Sequence, residues 1–182
     1  MVRILLAALL LAVALFAFTL GRQVLNPEPP PAERKLLFQG AQIDVSTLAL
    51  FQRACQNCHS ENTQWPWYSR IPPASWVIGK DVDDARHHVN FSRWETYRQE
   101  EQEEFLTQIG STARTGRMPL SRYTLFHREG VLTSQERKQI YEWSRAEKRR
   151  LRHARELWRD KAASSSANGS KDSPYFHSAP ER

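Results

Sequence analysis

The stretch RACQNCHSEN, residues 53–62, holds both cysteines of the chain, Cys55 and Cys58, with His59 directly after them. Two thiols three residues apart, followed by an imidazole, suit four kinds of chemistry: a redox dithiol, half of a zinc site, a local disulfide or a covalent haem anchor. A thioredoxin-like dithiol belongs beside a βαβ pattern, and no run of alternating apolar residues here is long enough for a sheet. Structural zinc wants four ligands in paired clusters, and His87, His88, His127, His153 and His177 form no such cluster. A disulfide between residues three apart closes a very small loop and gains little chain entropy. The haem reading uses all three residues at once. Cys-x-x-Cys-His is the attachment signature of c-type haem. Each thiol adds across one vinyl group of the porphyrin, and the i, i+3 spacing sets both sulfurs along one edge of the ring. His59, four residues after Cys55, can bring its imidazole beneath the iron as proximal ligand. The motif therefore predicts one covalent haem c.

A sixth iron ligand must come from a thioether or an imidazole. Met118 is the only methionine after the initiator. It lies in Gly-Arg-Met-Pro, where Gly116 allows a close approach and Pro119 fixes the backbone after the ligand. Methionine also fills gaps in cores, but this loop is polar and flanked by arginine. The rival donors are His127, in the same loop, and His88.

The elements that must position these residues read as helices. Asp44 or Ser46 can cap a helix running through the cysteine motif, with Leu48, Phe51, Cys55 and Cys58 on one stripe. Pro72 and Pro73 can open a second helix over Ala74–Val89. Ser92 starts a third, leading into the acidic RQEEQEEFLTQIG, whose buried side is Phe105, Leu106 and Ile109 and whose glutamates face water. Thr133 and Glu136 form a capping box for a long last helix, with apolar positions at Ile140, Tyr141, Trp143, Leu151, Ala154 and Trp158. Between the third and last helices, Ala113–Val131 carries glycines and a proline without a clear period and reads as a loop. The class is all-α.

The ends set the surroundings. Arg3 precedes an uninterrupted apolar run, Ile4–Leu20, which reads as an uncleaved signal anchor or transmembrane helix over residues 1–22. A proline-rich linker follows over 23–45, extended enough to hold a domain off a membrane surface. Residues 46–160 form the domain, ~115 residues and an ordinary length, and residues 161–182 read as a disordered tail. Export also fits the haem reading, because covalent c-type haem is assembled outside the bacterial cytoplasm. Much of the net charge of +6 sits in AEKRRLRHARELWRDK, Ala146–Lys161. Such a basic helix is either a solvated face or a surface for anionic lipid or an acidic partner. An exported chain has no use for it on nucleic acid.

The segment CQNCHSENTQWPWYSRIPPASWVIGKDVDDARHHVNFSRW resembles the haem-binding domain family of exported bacterial proteins, a cytochrome-c-like group. The shared residues are Cys55, Cys58, His59 and Ser60, then Trp65, Pro66, Trp67, Tyr68 and Ser69. They continue with Ser75, Trp76, Asn90–Ser92 and Trp94, and further on with Met118, Pro119, Tyr123–Leu125 and His127. Ala85 stands where the family usually has glycine, and the segment after Leu125 lacks its proline. The resemblance implies a c-type haem on an all-α, class I cytochrome-c-like domain, with the Met-Pro methionine facing the iron.

A haem buries far more apolar surface than any side chain and needs large walls. Trp65, Trp67, Tyr68 and Trp76 are close enough in sequence to the motif to supply them, whereas Trp94 and Trp143 read as ordinary core. Arg86, Arg117 and Arg122 are candidate partners for the propionates. No acid–base pair or nucleophile constellation is visible, so no catalytic residue is assigned. The leading expectation is a membrane-anchored, periplasm-facing electron carrier in the inner membrane, with His59 and Met118 saturating the iron and a redox protein as partner. The alternative is a haem enzyme or a gas or peroxide sensor with a displaceable sixth ligand.

Overall fold

In the computed structural model, residues 2–24 and 35–169 are described, with side chains over 3–18 and 35–165. The proline-rich part of the linker from Asn26 to Glu33 and the tail beyond Gly169 lie outside the described residues. Every described element is helical, and no strand occurs among them. The chain divides into two compact units, residues 1–40 with 48–96 and residues 41–47 with 97–182.

The first unit opens with α1, Val2–Val24. Its side chains from Arg3 to Phe18 are all exposed. The membrane helix expected over 1–22 is therefore a helix, but among the described residues no helix is long and apolar enough to cross a membrane. Next comes α2, Val45–Ala54, most of which belongs to this unit. The helix does not run on through the cysteines. Cys55 departs from helical geometry (φ −128°, ψ −33°) and caps a separate turn, α3, Gln56–His59. A 3-10 turn at Trp67–Arg70 leads to α4, Ala74–His88, as Pro72 and Pro73 predict. A second 3-10 stretch, Phe91–Thr96, replaces the helix expected from Ser92.

Residues 35–40 correct the reading of 23–45 as linker. Leu37 and Phe38 are buried, Phe38 almost completely. The Phe38 ring sits 4.7 Å from Phe51, 4.5 Å from Phe91 and 5.1 Å from Trp94, centroid to centroid. Its backbone donates to the Phe91 carbonyl at 3.0 Å while holding a φ of 55°. That conformation costs a non-glycine residue ~1–2 kcal/mol, less than the ~1.5–3 kcal/mol that burying the ring returns. Trp94 is core, as expected.

The second unit is built on α5, Gln99–Arg114, and α7, Ser134–Gly169, which pack along each other. Leu106 of α5 and Ile140, Trp143 and Leu151 of α7 are buried. Gly110 lets the two backbones approach, since a Cβ there would stand 3.2 Å from the Ser144 Cβ. The predicted capping box forms: Thr133 N donates to Glu136 at 2.7 Å and Glu136 N to Thr133 Oγ1 at 3.2 Å. Asp44 caps α2, accepting from the Thr47 N–H at 2.9 Å. Trp143 is core and donates Nε1–H to the Gln42 carbonyl at 2.9 Å.

Three expectations fail here. Glu103 does not face water but is buried, accepting from Arg152 at 2.9 Å and lying 3.1 Å from Arg155. The loop Ala113–Val131 contains a short helix, α6, Ser121–Phe126, and a 3-10 turn at Arg128–Gly130, because the Leu120 carbonyl accepts from both Tyr123 and Thr124 and seeds a turn. The last helix also continues past Asp160 to Gly169. Once a helix is nucleated, good formers such as Lys161, Ala162 and Ala163 extend it at little cost.

Candidate functional site

In the first unit the cysteine motif is a tight turn closed on one carbonyl. Cys55 O accepts from Cys58 N at 3.2 Å and His59 N at 3.0 Å. Neither cysteine is in a disulfide, and both residues are partly exposed. Burial, with Cys58 adding to it and Arg53 opposing, pushes the Cys55 thiol up to about 12. A redox dithiol is activated by a lowered thiol pKa, so this environment is unlike one. The described residues hold no group of three or more His, Cys, Asp or Glu that could bind a metal ion, which is what the zinc reading needs.

His59 is fixed from outside the motif. Its Nδ1 lies 3.1 Å from the Val89 carbonyl, which can only accept, so Nδ1 carries the proton. Burial holds the imidazole below its ordinary pKa, against the opposing bond to Val89. A neutral ring protonated on Nδ1 keeps its lone pair on Nε2, the form a metal binds. The ring also stacks on Phe91, 5.3 Å away and 19° from parallel. Phe91 in turn rests on Phe38 and Phe51, so the aromatic core backs the imidazole directly.

The chain after His59 is pinned by polar contacts. Ser60, fully buried, donates to Gln56 O at 2.7 Å. Arg86 of α4 donates Nε–H to Ser60 O at 2.9 Å and Nη2–H to Thr63 Oγ1 at 2.7 Å, so this propionate candidate holds the loop. Glu61 pairs with Lys35 and, at 2.7 Å, with Arg93. Asn62 exchanges bonds with the Lys35 backbone at 2.9 and 2.7 Å. Apart from Gln56 O these anchors come from beyond the motif, and several depend on a backbone carbonyl or amide that carries no side-chain signature. Phe91, within the Asn-Phe-Ser segment, Ser60 and Arg86 leave a signal in the sequence, whereas Val89 and Lys35 leave none.

Around this turn the unit exposes large apolar groups. Trp67 is 76% and Trp76 70% exposed, with Trp65 at 38%. Tyr68 is half-buried and meets Trp67 edge to face at 5.7 Å. Exposed aromatic surface of this kind marks a ligand or partner site.

A family model described as haem-binding domain matches residues 17–146. The chain belongs to the haem-binding domain family. No curated protein matches it, and no solved structure does. The donor set fits a haem: two thiols outside any disulfide, an imidazole protonated on Nδ1, and aromatic surface without a cover.

The second unit of this haem-binding protein holds Met118. Gly116, at φ 71°, ends α5 in a Schellman motif, with Gly116 N donating to Ala113 O and Arg117 N to Thr112 O, each at 3.0 Å. Met118 N reaches the same Thr112 carbonyl at 3.3 Å, and the side chain is partly exposed. The rival His127 stacks on Tyr123 at 4.4 Å and binds Glu129 at 2.9 Å. His87 is tied to Asp83 O at 2.8 Å, and both His87 and His88 are exposed. Arg117 reaches Thr115 Oγ1 at 3.3 Å.

Proposed function

We propose that this protein is a c-type cytochrome that carries one covalent haem and passes electrons. Cys55 and Cys58 would hold the porphyrin by thioethers, His59 and Met118 would be the axial iron ligands, and Trp65, Trp67, Tyr68 and Trp76 would wall the pocket of a class I cytochrome-c-like domain. Bound haem supplies a one-electron couple, and the protein's own residues hold it and set its surroundings. The observation that carries this reading is His59, neutral, protonated on Nδ1 by its bond to Val89, directly after Cys58 and one turn beyond Cys55, neither of them in a disulfide. The Nδ1–H bond to a carbonyl raises the basicity of the other nitrogen and fixes the ring. Phe91 and its aromatic neighbours exclude water from that side.

The exposed apolar side chains of α1 support attachment to the inner membrane, with the domain facing the periplasm and a redox protein as partner. Nucleic acid has no place in this reading.

The test is the visible spectrum of the full chain, produced with cytochrome c maturation proteins and purified in detergent, oxidised, reduced and under carbon monoxide. A covalent low-spin haem with a weak far-red methionine-to-iron band, lost in Met118→Ala, and no response to carbon monoxide is the expected result. A haem extracted by acidic acetone would end the covalent reading. A high-spin spectrum that shifts with carbon monoxide would turn the assignment to gas or peroxide chemistry.

A further inference from the structure

The stretch of α7 beyond residue 146 lies outside the family match, and its end is built for a surface. The buried stripe of α7 runs through Ile140, Ser144, Glu147 and Leu151, in steps of three and four. Trp158, seven beyond Leu151, continues the stripe, yet it is 74% exposed and Leu157 is 51% exposed. The last carboxylates from α5 meet Arg152 and Arg155. From Glu156 to Ser165 every described residue is exposed. The stripe outruns its cover.

The charges around it are sorted. Arg150, Arg152 and Arg155 are paired with Glu147, Glu103 and Glu100. Arg149, Arg159 and Lys161 have no carboxylate partner among the described residues. Arg159 and Lys161 flank Trp158 on either side around the helix, with the Lys161 Nζ 5.9 Å over its ring. Glu156 and Asp160, four apart, share the face opposite Trp158. An amphipathic helix with an indole between cations, and its acids on the far side, has the pattern of one lying in a lipid interface. A second copy of the chain would bring cations against cations.

We propose that the end of α7, residues 156–161, lies on an anionic phospholipid surface, with Trp158 and Leu157 entering the headgroup layer and Arg159 and Lys161 meeting phosphates. This rests on the membrane placement proposed above and is independent of the haem.

The test is hydrogen exchange of the amides of residues 155–165 in the full chain, with vesicles of phosphatidylcholine alone and of phosphatidylcholine mixed with phosphatidylglycerol. Exchange should slow with the anionic vesicles only. Salt should reverse the effect, and each of Arg159→Glu and Lys161→Glu should weaken it by at least about five-fold per charge. Trp158→Ala should weaken it too while leaving the far-UV helix signal intact, because alanine favours a helix more than tryptophan. Equal slowing with both vesicle types and in detergent would overturn the proposal in favour of a cover from the chain itself. Slowing that grows with protein concentration without vesicles would overturn it in favour of a second copy. Slowing by polyglutamate but not by phosphatidylglycerol would overturn it in favour of an acidic protein. Flotation with neutral vesicles reads α1 separately, so the anchor can fail while the α7 surface stands, and the reverse.

Discussion

Around Phe38 the first unit packs ring on ring: Phe38, Phe51, Phe91 and Trp94 touch one another, and the His59 imidazole rests on the pile. Along α5 and α7 the second unit closes instead around carboxylates, Glu103 between Arg152 and Arg155, and Glu147 on Arg150 and the Gln42 amide. The aromatic unit leaves Trp67 and Trp76 uncovered, whereas the second unit satisfies its buried charges internally. A unit whose rings pack beside aliphatic Leu50, Val82 and Val89, and whose rim is exposed tryptophan, offers apolar surface to a large apolar group. The other, whose two buried carboxylates are matched beside apolar Leu106, Ile140 and Leu151, has its polar interior already satisfied.

The comparison breaks most visibly at the aromatic pile. Phe38→Ala should cost ~3–5 kcal/mol, as large aromatic truncations do, read by urea unfolding of the full chain. A loss under ~1 kcal/mol would mean the pile is not what holds the first unit. Glu103→Ala comes next, at ~1–2 kcal/mol. Breaking a buried pair can cost more, but Arg152 and Arg155 are 55% and 35% exposed at their side chains and can return to water. Phe91→Leu should cost ~1–1.5 kcal/mol through lost ring contacts and broaden the His59 ring signals in NMR. Unchanged His59 signals would show that Val89 alone orients the imidazole.

The smallest effects are acid ones, one in each unit. Three bonds from Ser46 and Thr47, the Ser46 hydroxyl foremost, lower the Asp44 carboxyl to about 2. A depressed carboxyl contributes stability above its unfolded value of 3.8, and this fades as pH falls toward 2. Lys35 first, then Arg93, hold the Glu61 carboxyl below its ordinary value, so the polar clasp after His59 should likewise weaken on acidification. Asp44→Ala should remove its share of the pH dependence at a cost of ~1 kcal/mol, read by acid titration against Glu61→Gln, which should remove the share of the first unit.

The helical class, the start of α4 and both caps were legible because each rests on local rules: proline at a helix start, Asp44 three residues before an amide, Thr133 with Glu136. The cysteine–histidine motif was equally plain. Its supports were not, since Val89 acts through a carbonyl, and Lys35 and Phe38 sit in a stretch whose proline-rich beginning reads as linker. Glu103 looked solvated because its sequence neighbours are glutamates, while its partners lie on another helix, about fifty positions away. Tertiary pairing overrode the local pattern there.

The Val89 contact also carries a consequence in folding time. The thiols are presented by a turn that closes within five residues, Cys55–His59, whereas the His59 ring is set by a carbonyl thirty residues further on. Local turns form early, and contacts across long loops wait for chain closure. A newly made chain would therefore display both sulfurs while the imidazole was still turning freely. On the proposed covalent haem, attachment at the cysteines would come before His59 is locked, and a peptide covering residues 53–62 should show the turn without the depressed histidine pKa.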